Sequence, residues 1–421
     1  MGGWRIRGRA TLTAAAVGAA VMAVTLSGCW LQPGYDAERS AFNPIDNAIT
    51  PANVGTLHTR WTVPLGAAVH DPVVSTNGVY ATLGAYPGAG TVTLRALADG
   101  SARWTSPLFP AGNPYFSQDP TLFGNVVLVP VASSTTIGGF HSSIDQFDAA
   151  SGAAGTPITE DISSQAITRG TKIVGTWASC TDTLLCASSL FVHDTSGPGS
   201  WKTLLDVTNG GAPYVTSPAV GTDDLFIGRG TSVQSFPLAP PSNCAQPGPN
   251  QVCPPVWSTN VVMQVAGNPV LSSDDKTVYV AAGTNLVALD AQTGTQLWSA
   301  TLDAAASAAP AVNNASVYVP LANGELEVFA SSCGAATCSP AWSANTTSRI
   351  GQQPAVTSGG VVYTASADGV VRAYAAAGCG KATCASLWSA ATGSTITGGP
   401  VAALGGVFVG TSDGHLIAYS N

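Results

Sequence analysis

Charge is what this sequence has least of. Only 9% of its 421 residues are Asp, Glu, Lys or Arg, against about 25% in an ordinary soluble domain. After Arg5, Arg7 and Arg9 no cluster of Lys or Arg occurs, so a surface that tracks phosphates is excluded and nucleic acid is not an expected partner. Setting those three aside leaves 12 of the 15 basic residues against 23 acidic ones. Helix-forming pattern is also missing, because beyond residue 28 no apolar run has helical spacing. The familiar catalytic signatures are absent: no G-x-S-x-G elbow, no H-E-x-x-H and no phosphate loop. Glutamates are confined to Glu38, Glu160, Glu325 and Glu327, and the histidines (His58, His70, His141, His193, His415) are scattered, so each is read as a surface or turn residue. No pair of carboxylates stands out as acid and base. What the chain does have is 47 Gly and 28 Pro. With abundant Val, Thr and Ser, they suit short strands and tight turns.

The N-terminus carries a specific signal. A basic start is followed by an apolar segment over residues 10–26, and then by Leu26-Ser27-Gly28-Cys29. That order resembles a bacterial lipoprotein signal, in which small residues precede a cysteine that becomes the acylated first residue. Residues 1–28 are therefore expected to be a signal peptide and Cys29 the lipidation site; an uncleaved membrane helix is the alternative, and it too leaves the domain outside the cytoplasm. The consecutive arginines of a twin-arginine signal are missing, so export before folding is expected. Residues 29–56, with Pro33, Gly34, Pro44 and Pro51 and no strand-like alternation, are expected to be a flexible tether, although Asn43-Pro44 and Ile49-Thr50-Pro51-Ala52-Asn53-Val54 look more specific than a linker.

Residues 57–421 repeat one grammar. The clearest unit, 269–302, holds a short apolar lead, Val278-Tyr279-Val280, Leu286-Val287-Ala288-Leu289, an Asp290-to-Gly294 turn and Trp298. That is four strands separated by turn chemistry. Trp257, Trp298, Trp342 and Trp388 recur 41, 44 and 46 residues apart, the length of a four-stranded propeller blade of about 40–50 residues. Units start at Pro72, Pro120, Ala166, Pro218, Pro269, Pro310, Pro354 and Pro400. The expected fold is an all-β, eight-bladed propeller of antiparallel blades, with seven as the alternative because the third unit is the weakest. The last unit stops after three strands, whereas residues 57–65 form a closing strand with no unit of their own, so the N-terminal strand is expected to complete the last blade. Trp61, Trp104, Trp257, Trp298, Trp342 and Trp388 are expected to fill the wedges between blades rather than to form a ligand platform.

Eight cysteines besides Cys29 fall into local pairs: Cys180/Cys186, Cys244/Cys253, Cys333/Cys338 and Cys379/Cys384. In an exported chain these are expected disulfides. Shared zinc is the rival, weakened by the absence of nearby histidine.

The series Pro-Ala-Val, Val-Tyr-Val, a Gly turn, Leu-x-Ala-x-Asp and Trp resembles the pyrroloquinoline-quinone-like (PQQ-like) propeller repeat; residues 290–298 and 412–419 are its closest copies. The lead-in from Asn43 to Trp61 is similar to the entry of quinoprotein dehydrogenase propellers. Those enzymes use adjacent cysteines beside the quinone and a calcium or lanthanide ion on Glu, Asn and Asp. This chain has no adjacent cysteines, and no glutamate is placed as such a ligand. The tether, fold and blade number also resemble the lipoprotein propeller of outer-membrane barrel assembly. The leading expectation is a monomeric, non-catalytic binding or scaffold module outside the membrane, tethered through Cys29, with a protein partner at its loops and neither cofactor nor metal. The alternatives are a quinoprotein using PQQ with Ca at the channel, and a sugar-binding or sugar-cleaving propeller.

Overall fold

A computed structural model describes residues 28–84, 87–112, 115–133, 142–180, 185–197, 199–209, 214–244 and 251–421; the export-like segment before residue 28 and His141 lie outside them. The strands form eight separate sheets, so the count is eight and the unit starting at Ala166 is a full blade (Ile167–Arg169, Lys172–Cys180, Leu185–Asp194, Trp201–Asn209). Blades stack face to face around an axis. Second strands such as Gly78–Leu83 and Val361–Ala365 are therefore buried along their whole length. Fourth strands such as Ala102–Phe109 and Trp257–Asn260 alternate towards solvent. Continuous apolar runs inside and alternation at the rim follow from which strands lose both faces to water.

His58–Pro64 pairs antiparallel with His415–Ser420, with His58 opposite Ser420 and Pro64 opposite His415, and so supplies the fourth strand of the last blade. The second blade is the irregular one. Beyond Ser142–Asp148 it has only isolated bridges, Ile144 to Ile158 and Phe147 to Ala154, where the others have a full fourth strand.

Each closing tryptophan reaches into the next blade. The indole N–H of Trp61 donates to Leu97 O at 3.0 Å, Trp104 to Ala149 O at 3.1 Å, Trp257 to Ala291 O at 2.9 Å, Trp298 to Ser331 O at 3.3 Å and Trp388 to Leu57 O at 2.9 Å. Trp342 lies against Gly378 of the seventh blade, where a Cβ would stand 2.8 Å from its Cδ1. Trp201, at the end of the third unit and not among the tryptophans named above, makes the same kind of bond, to Leu238 O. The turn that receives the ring must be glycine: at Gly294, with φ +71, a Cβ would stand 2.5 Å from Trp257 Cε3.

Cys244–Cys253, Cys333–Cys338 and Cys379–Cys384 are bonded. Backbone register sets Cys180 opposite Cys186 and Cys186 is bonded, while the side chain of Cys180 lies outside the described residues. The bonded loops also reach back to the rim of the preceding blade. Ser299 N–H donates to Ala336 O and Cys338 N–H to Ser299 O; Ser343 N–H donates to Ala382 O and Cys384 N–H to Ser343 O. Leu204 N–H likewise donates to Gln251 O.

Residues 29–56 differ from a flexible spacer. Trp30, Ala41, Asn43, Ile49 and Val54 are buried, and the segment belongs to the folded ring. The reason lies at the axis.

Candidate functional site

The innermost strand of every blade has one neighbour on its rim side and none on its axial side, so its backbone groups face the channel unpaired. Residues 30–43 pair with them in turn. Two residues after each blade's leading Pro or Ala, Val74 N–H donates to Trp30 O, Leu122 to Leu31 O, Val220 to Ala37 O, Leu271 to Glu38 O, Val312 to Ser40 O and Val356 to Ala41 O, at 2.6–2.9 Å. The third blade is met by a side chain, with Thr168 N–H on Gln32 Oε1 at 2.8 Å. The eighth is met by Asn43, whose amide donates to Ala402 O at 3.0 Å and to Gly28 O at 2.9 Å. A single turn of chain thus touches all eight blades and gives each inner edge a hydrogen bond. Phe42–Asn43 even pairs as a short parallel strand with Val356–Thr357.

Below this turn lies a polar girdle, built from residues that directly precede the leading Pro or Ala, among them Asp71, Asp119, Gln165, Ser217 and Asn268. Gly399 N–H donates to Asp71 Oδ1 at 2.6 Å, Asp71 N–H to Asp119 Oδ1 at 2.9 Å, Gln165 N–H to Ser217 Oγ at 3.3 Å and Ser217 N–H to Asn268 Oδ1 at 3.0 Å. These bonds latch the eighth blade to the first, the first to the second, the third to the fourth and the fourth to the fifth, and Gln165 Nε2 on Asp119 joins the second to the third.

Arg39 stands between turn and girdle. It is 2% exposed, holds φ +61, and donates from Nη2 to Gln165 Oε1, while Nε and Nη1 have no partner. Burial lowers its guanidinium to about 10, opposed by the charges of Asp119, Asp71 and Asp36. Burial in turn pushes Asp71 up to about 7, with Asp119 repelling it and Arg39 opposing. Asp119 is likewise raised, chiefly by burial. Asp36 is raised by burial to about 7 and bonds Ser40 through both its oxygens, which folds the loop that carries Arg39. On the rim side of this loop Glu38 pairs with Arg169, which also meets Asp275. The channel chemistry is therefore a buried cation among carboxylates, supplied by the chain itself. The girdle face opens to a shallow polar depression of about 290 Å³ beside Gln165 and Ser217.

The structure gathers none of the tryptophans or cystines singled out above at this axis. Cys29 lies at the mouth covered by residues 30–43 and is 4% exposed. The girdle was missed in the sequence, although Asp71-Pro72, Asp119-Pro120, Asn268-Pro269 and Gln353-Pro354 repeat a polar residue before the leading proline.

A family model described as Outer membrane protein assembly factor BamB matches residues 254–337 and 330–421. No curated protein matches the chain by sequence. Among solved structures, quinohemoprotein alcohol dehydrogenase ADHIIG from Pseudomonas putida HK5 is similar with a TM-score of 0.66 and 13% identity, over 94% of this chain and 80% of that one. BamB from Moraxella catarrhalis is similar with a TM-score of 0.59 and 16% identity, over 87% and 100%. A europium-containing methanol dehydrogenase gives 0.64 and 12% over 94% and 98%. The chain is thus an eight-bladed β-propeller of the PQQ-like repeat, similar in fold both to BamB and to the quinoprotein dehydrogenases.

Proposed function

We propose that this protein is a non-catalytic binding or scaffold module, displayed outside the membrane on a lipid at Cys29. The filled axis carries this reading. A quinoprotein with its site at the channel needs space there for a flat cofactor, and residues 30–43 with the Arg39 side chain occupy it. The adjacent cysteines of the alcohol-oxidising relatives have no counterpart in this sequence. The residues present do not fit a quinone on the axis, so no chemical step is assigned to one. Disulfide bonds suit an oxidising, extracytoplasmic compartment.

Antiparallel strand order puts the first-to-second and third-to-fourth connections on one face and the other connections on the opposite face. Cys29, beside Thr76 in a first-to-second turn, belongs to the covered face, and an acyl chain there holds that face towards the membrane. The opposite face is left for a partner, in the manner of an envelope-assembly scaffold. On it Val262 is 78% exposed at φ +72, a conformation β-branched residues rarely take, and Met263 is exposed beside it.

Two measurements on the full chain test this. Labelled palmitate fed to an exporting host should appear on the protein and vanish in Cys29→Ala; unchanged labelling overturns the anchor. Pyrroloquinoline quinone with Ca²⁺ should give no stoichiometric complex. A one-to-one complex with dye-linked alcohol oxidation overturns the non-catalytic reading.

A further inference from the structure

We propose that Asp303, Glu325 and Glu327 bind calcium in the seam between the fifth and sixth blades. Glu325 and Glu327 lie two apart on Glu325–Ala330, the third strand of the sixth blade, so both side chains leave the sheet on one face. Val317 and Val319 lie on that same face, which packs on the fifth blade through Leu286 and Ala300. Asp303 comes from the loop that follows the fifth blade's last strand, Gln296–Thr301. One carboxylate oxygen from each of the three lies within 4.8 Å of the others.

A cluster of acids alone means little, and Glu327 supplies the second observation. It is 1% exposed; its Oε1 accepts Asp303 N–H at 3.2 Å, and its Oε2 is buried with no partner. No described ion pair reaches any of the three carboxylates. Leaving a carboxylate oxygen dry and unpaired is costly, so such groups are met by a donor or a metal.

The other blades show that the fold does not ask for a carboxylate here. The position of Glu327 in the repeat is held by Val287 in the fifth blade and Ile417 in the eighth, both buried and apolar. The seventh has Arg372, which is paired with Asp368. The second blade has Asp145 there, but its Oδ1 accepts the Ser143 hydroxyl at 2.8 Å; among the described residues the acid left with an unmatched oxygen at this point is the sixth blade's.

All donors are oxygens, which selects a hard cation. Calcium accepts irregular sets of 6–8 oxygens at about 2.3–2.6 Å and takes water for the remainder. Asp303 is exposed, which gives ion and water access. Three carboxylates in an exported module match the weak class of site, with Kd of about 10⁻⁴–10⁻³ M. The site opens on the face away from Cys29, so a filled site locks the fifth and sixth blades together where the partner is proposed to dock.

The test uses full-length protein stripped with chelator, then equilibrium dialysis against radioactive Ca²⁺ together with thermal unfolding. One ion per chain and a rise in unfolding temperature on adding Ca²⁺ are expected. Glu327→Gln should weaken binding at least about tenfold, the low end of what metal-site substitutions cost. Asp303→Asn, in an exposed loop and so not a threat to folding, should weaken it as well. Absence of one-to-one binding in the unmodified protein, or affinity unchanged in Asp303→Asn and Glu327→Gln, overturns the site.

Discussion

The inner and outer edges of the same eight sheets are protected in opposite ways. At the axis one continuous segment, residues 30–43, serves every blade with a bond or two each. At the rim the cover is local: the Cys244–Cys253, Cys333–Cys338 and Cys379–Cys384 loops each shield the blade before their own. Inner protection is collective and depends on the ring being closed. Outer protection is modular, and each piece is locked covalently over a short span. The N-terminal chain connects the two schemes, since after filling the axis it runs out to the rim as His58–Pro64 and closes the last blade.

The contrast is sharpest in the effects expected from breaking each part. The largest single-residue effect is expected at the closure. Trp61 is 7% exposed, packs on Phe408 within its own blade and bonds Leu97 O in the next. Trp61→Ala should cost about 3–5 kcal/mol, as for other large-to-small core changes. Denaturant unfolding followed by circular dichroism gives this value, and a loss under 1 kcal/mol would place the closure elsewhere.

Removing one rim staple should do less. Cys333→Ser with Cys338→Ser opens a loop of sequence separation 5, and such a closure is worth about 2–3 kcal/mol in the chain-entropy model. Because the staples are local, the losses from the 333/338 and 244/253 pairs should add. Strong non-additivity in a melting series would show that the rim is as collective as the axis.

A pH slope is expected from the girdle. The folded protein holds Asp71 protonated up to about 7, whereas the unfolded chain releases that proton near its ordinary value of 3.8. Between those values the folded state binds more protons, so this contribution to stability is full below about pH 4 and is lost as pH rises towards 7. Asp71→Asn keeps an oxygen for Gly399 N–H and should flatten the decline. A slope identical in the two proteins would mean that Asp71 is not held protonated.

The blades were legible because their signals are local: alternation, turn glycines and closing tryptophans all fall within one unit. Closure was legible from two matching defects, a last unit short of a strand and residues 57–65 lacking a unit. The axial segment was not. Its partners lie far away in sequence, as with Trp30 and Val74 or Asn43 and Ala402, and a chain that meets each blade only once or twice has no period to read. Its prolines and missing alternation therefore looked like a spacer. Glu325 and Glu327 stand two apart among the four glutamates of the sequence, but Asp303 joins them only across a blade seam.

Hydrogen exchange of the backbone amides in residues 30–43, followed by mass spectrometry on the full-length protein, tests the filled axis most directly. If the segment pairs with the eight inner edges, amides such as Trp30 N–H, bonded to Val74 O at 2.8 Å, and Ala41 N–H, bonded to Gly34 O at 2.8 Å, should exchange as slowly as the buried second strands. Exchange of this stretch within seconds, at the rate of an unstructured tether, would contradict the account and return the channel to an incoming ligand.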